Sequence, residues 1–407
     1  MQLVAYGAQD IYLTGNPQIT FFKTVYKRHS NFALETRQYQ FNNGASYGNT
    51  SSFKIPHDGD LICRMTLNIE LPDLNEKNSN NTFSYVNGIG HLLIEETYIE
   101  IGGLIIDRQY GEWLDIWSEL SQDVGKKDGY NEMIGKKKRN AFRYNSFSSK
   151  LELFIPLNFW FCKNYGMSLP LLCLKYQNVF LKVKFRKFDH CWISEKKGFT
   201  PENQSLINCY VFIDYIYLDE DEKKKFKNNS QTYLMEQVQF TGDDYYAPST
   251  KQVIKELNLS HPCKELIWTI QRADVYVRSD TNDPDFTYGN DWFNFSAFKS
   301  NYSHIKKDSF KSFKLQLNGA DRTAFIKASL LRVLNNYYHH SSIPDNYIYS
   351  LPFALRPEEH QPTGTLNFSV IDKTRIILKM NDDIDYDFVV KFYAVNYNIL
   401  IFTEGMA

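Results

Sequence analysis

The chain has 407 residues, more than the roughly 250–300 at which a single hydrophobic core stops growing, so its length predicts two domains. Its 46 basic and 47 acidic side chains leave a formal net charge of -1, which excludes a charge field over the whole molecule that would attract nucleic acid. Aromatic residues reach 16%, with 30 Phe and 28 Tyr, and this favours strands and large contact surfaces over helix bundles.

The first residues show neither the basic region nor the apolar core of a secretory signal, and no apolar run approaches the roughly 20 residues of a membrane span. We therefore expect a soluble protein made in the cytosol. None of the six cysteines belongs to a CxxC pair, and most lie in apolar, strand-like stretches, which predicts buried free thiols over a zinc site or disulfides. They are Cys63, Cys162, Cys173, Cys191, Cys209 and Cys263.

Strand patterns dominate along the chain. In residues 61–71 the odd positions are apolar, and the even positions from Arg64 onward are polar. Residues 179–186 alternate between apolar and mostly basic side chains in the same way. Such alternation predicts sheets packed on one side only, as in antiparallel sandwiches.

Helical patterns are few. An apolar stripe at Tyr110, Trp113, Leu114, Trp117 and Leu120 predicts a connecting helix. A second helix is predicted over 218–226, where acidic residues come first and lysines follow, the order that complements the helix dipole. We place the junction between the two domains at this second helix.

An internal repeat supports the division into two domains. Four stretches recur in the same order, with loops of unequal length between them. The corresponding pairs are 54–62 with 257–267, 98–108 with 314–322, 154–157 with 350–353, and 210–218 with 392–400. Two copies of one strand-rich fold are therefore predicted, each with short strands, turns and one helical insertion, as in a sandwich or jelly roll.

Several segments carry a resemblance to a known family. They are Gln2–Lys23, Gly90–Glu96 with Ile101–Gly103, Tyr110–Leu114, Asp219–Phe226 and Asn396–Leu400. Together they resemble the major capsid proteins of nucleocytoplasmic large DNA viruses. The resemblance implies an all-β fold of two tandem antiparallel eight-stranded jelly-roll domains with short helical insertions, in a homotrimer that forms a pseudo-hexagonal capsomer of an icosahedral shell.

The resemblance also implies a structural protein and not an enzyme, with no catalytic, cofactor-binding or metal residues and no cofactor. The expected partners are the homotrimer, neighbouring capsomers, minor capsid and penton proteins and the inner viral membrane side, with no specific nucleic acid. The expected location is the virion capsid, assembled in the host cytoplasm. The expected domains are an N-terminal arm (1–30), a first jelly roll (31–217), a linker helix (218–236) and a second jelly roll (237–407).

The arm is polar and aromatic with little strand-like alternation. We expect it to lie across a neighbouring chain or the inner face of the shell. The alternative is that it packs on its own first domain.

Residues 129–137 nearly match a phosphate-binding loop. Five residues separate the glycines where four are needed, and Lys137 stands where a Ser or Thr must hold magnesium. Nucleotide binding is therefore not expected. Few aromatic residues on which bases could stack lie near the basic run Lys136–Arg139. We therefore expect a solvated loop there and not a contact with nucleic acid.

Other candidates for chemistry also depart from their motifs. Residues 383–387 lack the glycine and the closing glutamate of a calcium loop, which leaves a polar hairpin turn. Glu95 and Glu96, like His339 and His340, are adjacent, and on a strand they would face opposite sides. Ser168 lacks the second glycine of a nucleophile elbow. Asn-x-Ser/Thr triplets, expected to occur by chance, include Asn49, Asn80, Asn203, Asn294 and Asn301.

Two alternative functions remain open at this point. One is a tandem jelly-roll carbohydrate-binding protein or glycan hydrolase, which would need paired carboxylates or an aromatic cleft. The other keeps the fold and makes the chain a minor capsid paralogue.

Overall fold

The fold is built mainly from antiparallel strands. The computed structural model describes residues 7–74, 83–138, 147–194, 200–201, 205–276, 290–297, 307–403 and 406. The strands of the first half are β1 (Phe32–Gln40), β2 (Thr50–Lys54), β3 (Leu61–Leu71), β4 (Phe83–Tyr85), β5 (Ile94–Ile101), β6 (Leu104–Tyr110), β7 (Leu151–Pro156), β8 (Leu169–Pro170), β9 (Val179–Phe185), β10 (Trp192–Ser194) and β11 (Asn208–Leu218).

Eight of these strands form two facing sheets, in the orders β1-β11-β3-β7 and β2-β9-β5-β6. The first strand pairs with the last, and strands distant in sequence lie side by side, which is the jelly-roll arrangement. The odd positions of 61–71 are all buried, and so are Val179, Leu181, Val183 and Phe185. Both alternation predictions are therefore confirmed.

The second half repeats this topology. Its strands are β12 (Gln231–Tyr246), β13 (Gln252–Leu257), β14 (Pro262–Arg272), β15 (Phe310–Leu317), β16 (Ala320–Asp321), β17 (Ile326–Lys327), β18 (Ile348–Pro352), β19 (Leu366–Asn367), β20 (Thr374–Met380) and β21 (Phe388–Phe402). Their sheets have the orders β12-β21-β14-β18 and β13-β20-β15-β16, with β17 also paired to β15. The predicted double jelly roll is confirmed.

Three of the four predicted correspondences fall on equivalent strands, β5 with β15, β7 with β18 and β11 with β21. The first correspondence is wrong by six residues, because it matched Leu61 with Leu266, whereas the pairing of β3 with β7 and of β14 with β18 makes Leu67 the counterpart of Leu266. The alignment of the last pair is wrong by one residue, because it matched Phe212 with Ala394. Phe212 pairs with Thr66, and Val395 pairs with Glu265. Since Thr66 and Glu265 each also pair with the proline that ends β7 or β18, Phe212 corresponds to Val395.

Short helices connect the strands. They are α1 (Asp10–Thr14), α2 (Ile89–Leu93), α3 (Gly111–Ser121), α4 (Val124–Met133), α5 (Trp160–Lys163), α6 (Glu220–Asn228) and α7 (Asn335–His339), with a π-helical turn (Leu330–Leu334) leading into α7. The predicted connecting helix at 110–120 is α3. Within the described part of the chain, no helix is long and apolar enough to cross a membrane.

The linker helix is shorter than the predicted 218–236. Asp219 caps α6 by accepting a hydrogen bond from the backbone N–H of Glu222 at 2.8 Å, and the helix ends at Asn228. From Gln231 the chain is already strand β12, with Tyr233 and Met235 buried. The buried side chains therefore follow the two-residue period of a strand, and not the period of a helix, before residue 237 is reached. The strands of the second jelly roll begin earlier than predicted.

Candidate functional site: the interdomain interface and the exposed apolar surfaces

Helix α3 of the first jelly roll lies against the second. Trp113 and Trp117 stack with ring centroids 5.5 Å apart, and Trp113 is 5.4 Å from the ring of Tyr393 on β21. Tyr393 stacks in turn on Phe240 of β12 at 4.8 Å. The neighbouring Phe392 packs against core aromatics inside the sandwich, so Tyr393 lies on the outer face of the sheet. The first jelly roll thus covers this outer face with a helix.

A buried ion pair crosses the same interface. Glu112 of α3 contacts Lys391 of β21 at 2.5 Å, with side chains 8% and 3% exposed, and Arg186 lies 3.4 Å from the other Glu112 oxygen. Burial disfavours the ammonium, but the Glu112 carboxylate outweighs it and raises the pKa of Lys391. The contact between Glu112 and Lys391 therefore fixes how the two sandwiches meet.

A second ionic cluster centres on Glu236 of β12. Its carboxylate accepts hydrogen bonds from Lys163 of α5 at 2.9 Å and from Lys264 of β14 at 2.6 Å. Burial opposes ionisation, yet the nearby ammonium groups hold the pKa of Glu236 well below its usual range. Because Lys163 belongs to the first jelly roll and also lies over the Trp117 ring, this cluster joins the two halves.

A third cluster lies at the end of α3. Asp115 and Glu119 hold the ammonium of Lys136 at 2.6 and 2.7 Å. Despite burial, that ammonium holds the pKa of Asp115 below its usual range. Lys127 bridges Glu119 at 3.3 Å and Asp345 of the second half at 3.4 Å. Three separate clusters therefore tie the sandwiches together.

The near match to a phosphate loop, residues 129–137, lies in α4 and the turn that follows. Lys136 is committed to the cluster just described, and the backbone N–H of Lys137 donates to the side-chain oxygen of Asn87 at 2.7 Å. The groups that would hold a phosphate are thus engaged by the protein.

The expectation of a solvated basic loop is wrong at Lys136, whose side chain is only 11% exposed, because Asp115 and Glu119 attract it into the interface. Lys138 remains at the surface, 3.7 Å from Asp128. Arg139 lies outside the described residues.

Glu95 and Glu96 do not face opposite sides, contrary to the sequence prediction. The pairing of β5 with β9 shifts register between Ile94 and Glu96, so a bulge places both carboxylates at the half-exposed surface. Glu95 contacts Lys184 at 2.6 Å and Glu96 contacts Arg108 at 3.4 Å. Each carboxylate is thus held by a positively charged side chain. The two therefore do not form the pair of facing carboxyl groups that glycosidases use as acid and base.

The adjacent histidines have different surroundings. The ring of His339 contacts the carbonyl oxygen of Leu355 at 2.9 Å near the surface. His340 is buried between Glu265 at 3.0 Å and Glu358 at 2.9 Å. Burial opposes its protonation, but the two carboxylates raise the pKa of His340 to about 9. His340 is therefore a charged structural residue and not a neutral metal ligand.

The remaining candidates are also engaged elsewhere. Ser168 is buried and donates to the carbonyl of Tyr165 at 2.6 Å. In the predicted polar turn, Asp383 forms an ion pair with Lys307. Across the residues that the structure describes, no group of three or more His, Cys, Asp or Glu side chains could hold a metal ion.

All six cysteines are free. Cys63, Cys173, Cys191 and Cys263 are buried as predicted, whereas Cys162 and Cys209 are partly exposed. Burial raises the pKa of the Cys191 thiol to about 12, which makes it unreactive at neutral pH.

Of the five Asn-x-Ser/Thr triplets named above, those at Asn49 and Asn294 lie within the described residues. Asn49 is exposed, but Asn294 is fully buried and leaves no room for a glycan. Asn80, Asn203 and Asn301 lie outside the described residues.

Two exposed apolar surfaces stand apart from the core. The first is the arm, whose residues 7–31 are all exposed. Its large apolar side chains are Ile11, Tyr12, Leu13, Ile19, Phe21, Phe22, Val25 and Tyr26. So many exposed apolar side chains in one short segment indicate a site of interaction.

The second surface is one side of the helix around α7, which we call the α7 face. It consists of Leu330, Val333, Leu334, Tyr337 and Tyr338, which are 38–69% exposed. Their spacing of three and four residues places them in one stripe. Here the duplication pairs a buried helix in the first half with an exposed one in the second, a difference that sequence patterning did not reveal.

Comparisons with known proteins match this architecture. The family model described as major capsid protein N-terminus matches residues 20–219, and the one described as large eukaryotic DNA virus major capsid protein matches residues 222–407. The major capsid protein of Pyramimonas orientalis virus is 37% identical, over 100% of this chain and 97% of that protein. That of Phaeocystis pouchetii virus is 33% identical, over 100% of this chain and 98% of that protein.

This chain belongs to the family of major capsid proteins of large eukaryotic DNA viruses. A chain of the solved PBCV-1 virus capsid has the same fold, with a TM-score of 0.78 and 25% identity over 95% of this chain and 98% of that one. As a family member, the chain is a structural protein of the icosahedral virion capsid. Its partners are other capsid subunits.

Proposed function

We propose that the chain forms a homotrimer whose six jelly rolls make a pseudo-hexagonal capsomer of the shell. The observation that carries this proposal is the internal duplication, in which two jelly rolls of one topology share a continuous buried core. Three such chains supply six similar edges, so one lateral contact can repeat around the capsomer.

Beyond the trimer and neighbouring capsomers, we propose minor capsid and penton proteins and the inner viral membrane side as partners, without specific nucleic acid. The chain has no catalytic, cofactor-binding or metal role in this proposal. The ionic clusters described above support it, because each candidate base or acid in them is held by a partner within the protein.

We further propose a division into an arm (1–30), a first jelly roll (31–217), a linker and a second jelly roll that starts at the β12 strand. The exposure of residues 7–31 supports an arm that lies on a neighbouring chain or the inner face of the shell, and not on its own domain.

Light scattering of the purified full chain tests the trimer. We expect a mass three times the 47.8 kDa of the chain and a pseudo-hexagonal outline in electron micrographs. A protein that remains a monomer at micromolar concentration would contradict the proposal.

A further inference from the structure

We propose that the α7 face of each chain docks on the outer face of the β1-β11 sheet of a second copy, where it repeats the contact that α3 makes within the chain. This inference rests on the proposed trimer and names the surfaces that hold it together. The occupant of the α7 face is therefore another copy of the same chain.

The strand ladders first establish that the two helices are equivalent. The hairpins β5-β6 and β15-β16 turn at Gly102-Gly103 and Asn318-Gly319, where all four residues have positive φ. Counting back from these turns, the pair Glu96–Tyr110 corresponds to the pair Ser312–Lys327. Each helix begins directly after that pair, so the residues of α3 can be matched to those of the second helix.

The matched residues differ in burial. Trp113 and Trp117 are 1% and 7% exposed, because the second jelly roll covers them. Their counterparts are Leu330 and Leu334, which are 38% and 43% exposed. The end of the stripe, Leu120 in α3, is fully buried, whereas its counterparts in the last turn, Tyr337 and Tyr338, are 64% and 69% exposed. The second helix has kept the apolar stripe but leaves these side chains exposed.

The receiving surface is duplicated as well. In the second jelly roll it contains Tyr393, which packs on Trp113, and Lys391, which pairs with Glu112. Because Val395 corresponds to Phe212, Tyr393 corresponds to Tyr210 and Lys391 to Asn208. Tyr210, Asn208 and Phe212 are only partly buried, in contrast to Tyr393 and Lys391.

The neighbouring strand completes this surface. Phe240, which stacks on Tyr393, corresponds to Gln40, which pairs with Tyr210. Gln38 and Gln40 are exposed, and Leu34 is 55% exposed. The first jelly roll thus presents a polar, partly aromatic surface in the position that receives a helix in the second.

The two surfaces are chemically compatible. Leu330 would meet Tyr210 as Trp113 meets Tyr393, and Ser329 would meet Asn208 where Glu112 meets Lys391. A pair of neutral polar residues replaces a charged pair. The nearby carboxylate of Glu70 accepts a hydrogen bond from Asn208 at 2.9 Å and lies 3.3 Å from Lys150, so it already has its partners within the first jelly roll. Because the helix of one jelly roll always meets the sheet of the next, the contact is heterologous and runs around a closed ring.

The test compares substitutions on the two surfaces. Leu334→Glu adds a charge to the α7 face, and Ile254→Glu adds the same charge at a residue that is 55% exposed on the outer face of β13. We expect Leu334→Glu to raise the concentration at which trimers half dissociate by about tenfold or more, and Ile254→Glu to leave it unchanged. Near-ultraviolet circular dichroism and the unfolding temperature of each monomer check that the variants fold.

Cross-linking locates the contact directly. Tyr337 is replaced by the photoreactive p-benzoylphenylalanine, and chains labelled with ¹⁴N and ¹⁵N are mixed before assembly. We expect cross-links between differently labelled copies, from residue 337 to residues 32–40 or 208–218.

The outcomes separate this inference from the trimer itself. If the unaltered protein forms trimers and Leu334→Glu does not weaken them, the proposed contact is overturned and the trimer stands. Cross-links that fall on another surface or another protein have the same consequence. A monomeric unaltered protein overturns both.

Discussion

At the scale of the residue, buried charged side chains help to fix how the two jelly rolls meet, beside the aromatic contact of Trp113 with Tyr393. Glu112, Glu236 and Lys136 are buried at the interface, and each is held by oppositely charged groups at 2.5–2.9 Å. A buried pair adds little net stability because both charges lose water, but a buried charge that loses its partner is costly. Such pairs therefore enforce one relative placement of the two sandwiches.

Lys391→Met tests this role of the interface charges. The change leaves Glu112 buried with only the more distant Arg186, so we expect the free energy of unfolding in urea to fall by about 3–5 kcal/mol. Lys311→Met is the matched control, because Lys311 pairs with Asp382 at the surface, where loss of a pair costs about 1 kcal/mol or less. Equal losses in the two variants would show that the buried pair has no special role.

At the scale of the element, equivalent elements of the two jelly rolls have different environments. The alternation along β3 and β9 predicted which of their faces are buried, and the apolar stripe of α3 predicted a helix. Both could be predicted because these patterns depend only on local periodicity. The bulge at Glu95 and the one-residue shift between β11 and β21 were not predictable, because register depends on the partner strand. The extent of the linker helix was likewise decided by the pairing of β12 with β21.

Removal of residues 1–30 tests the arm. The described arm residues are exposed, so they add little to the core, and we expect the truncated protein to keep its unfolding temperature and its trimeric mass. Formation of larger arrays or shells, followed by electron microscopy, should be lost, because the truncation removes the apolar side chains by which the arm would contact a neighbouring chain.

A full-length variant with Phe21→Ser and Phe22→Ser serves as the comparison for the arm, and it should share the assembly defect. Shells that form normally from both proteins would refute an assembly role for the arm. A marked fall in unfolding temperature would instead show that the arm packs on its own domain.

At the scale of the whole molecule, the two jelly rolls behave as one body. Their buried apolar residues form a single connected cluster, and α3 is buried between them. Domains joined by an apolar interface unfold together, because unfolding of one domain alone would expose the apolar surface of the other to water.

Differential scanning calorimetry of the full chain should therefore show one cooperative transition. Trp113→Ala combined with Tyr393→Ala removes the aromatic contact that couples the halves, so this variant should unfold in two steps. Two well-separated transitions in the unaltered protein would contradict the coupling.

The sequence by itself determined the duplicated all-β architecture and the family, because alternation, repeats and family motifs are local features of the chain. It did not determine which surfaces are buried within the chain and which remain exposed. Trp113 and Leu330 belong to similar apolar stripes, yet one is covered by the second jelly roll and the other is exposed. Only the tertiary structure decided this, because burial depends on which domain lies next to each helix.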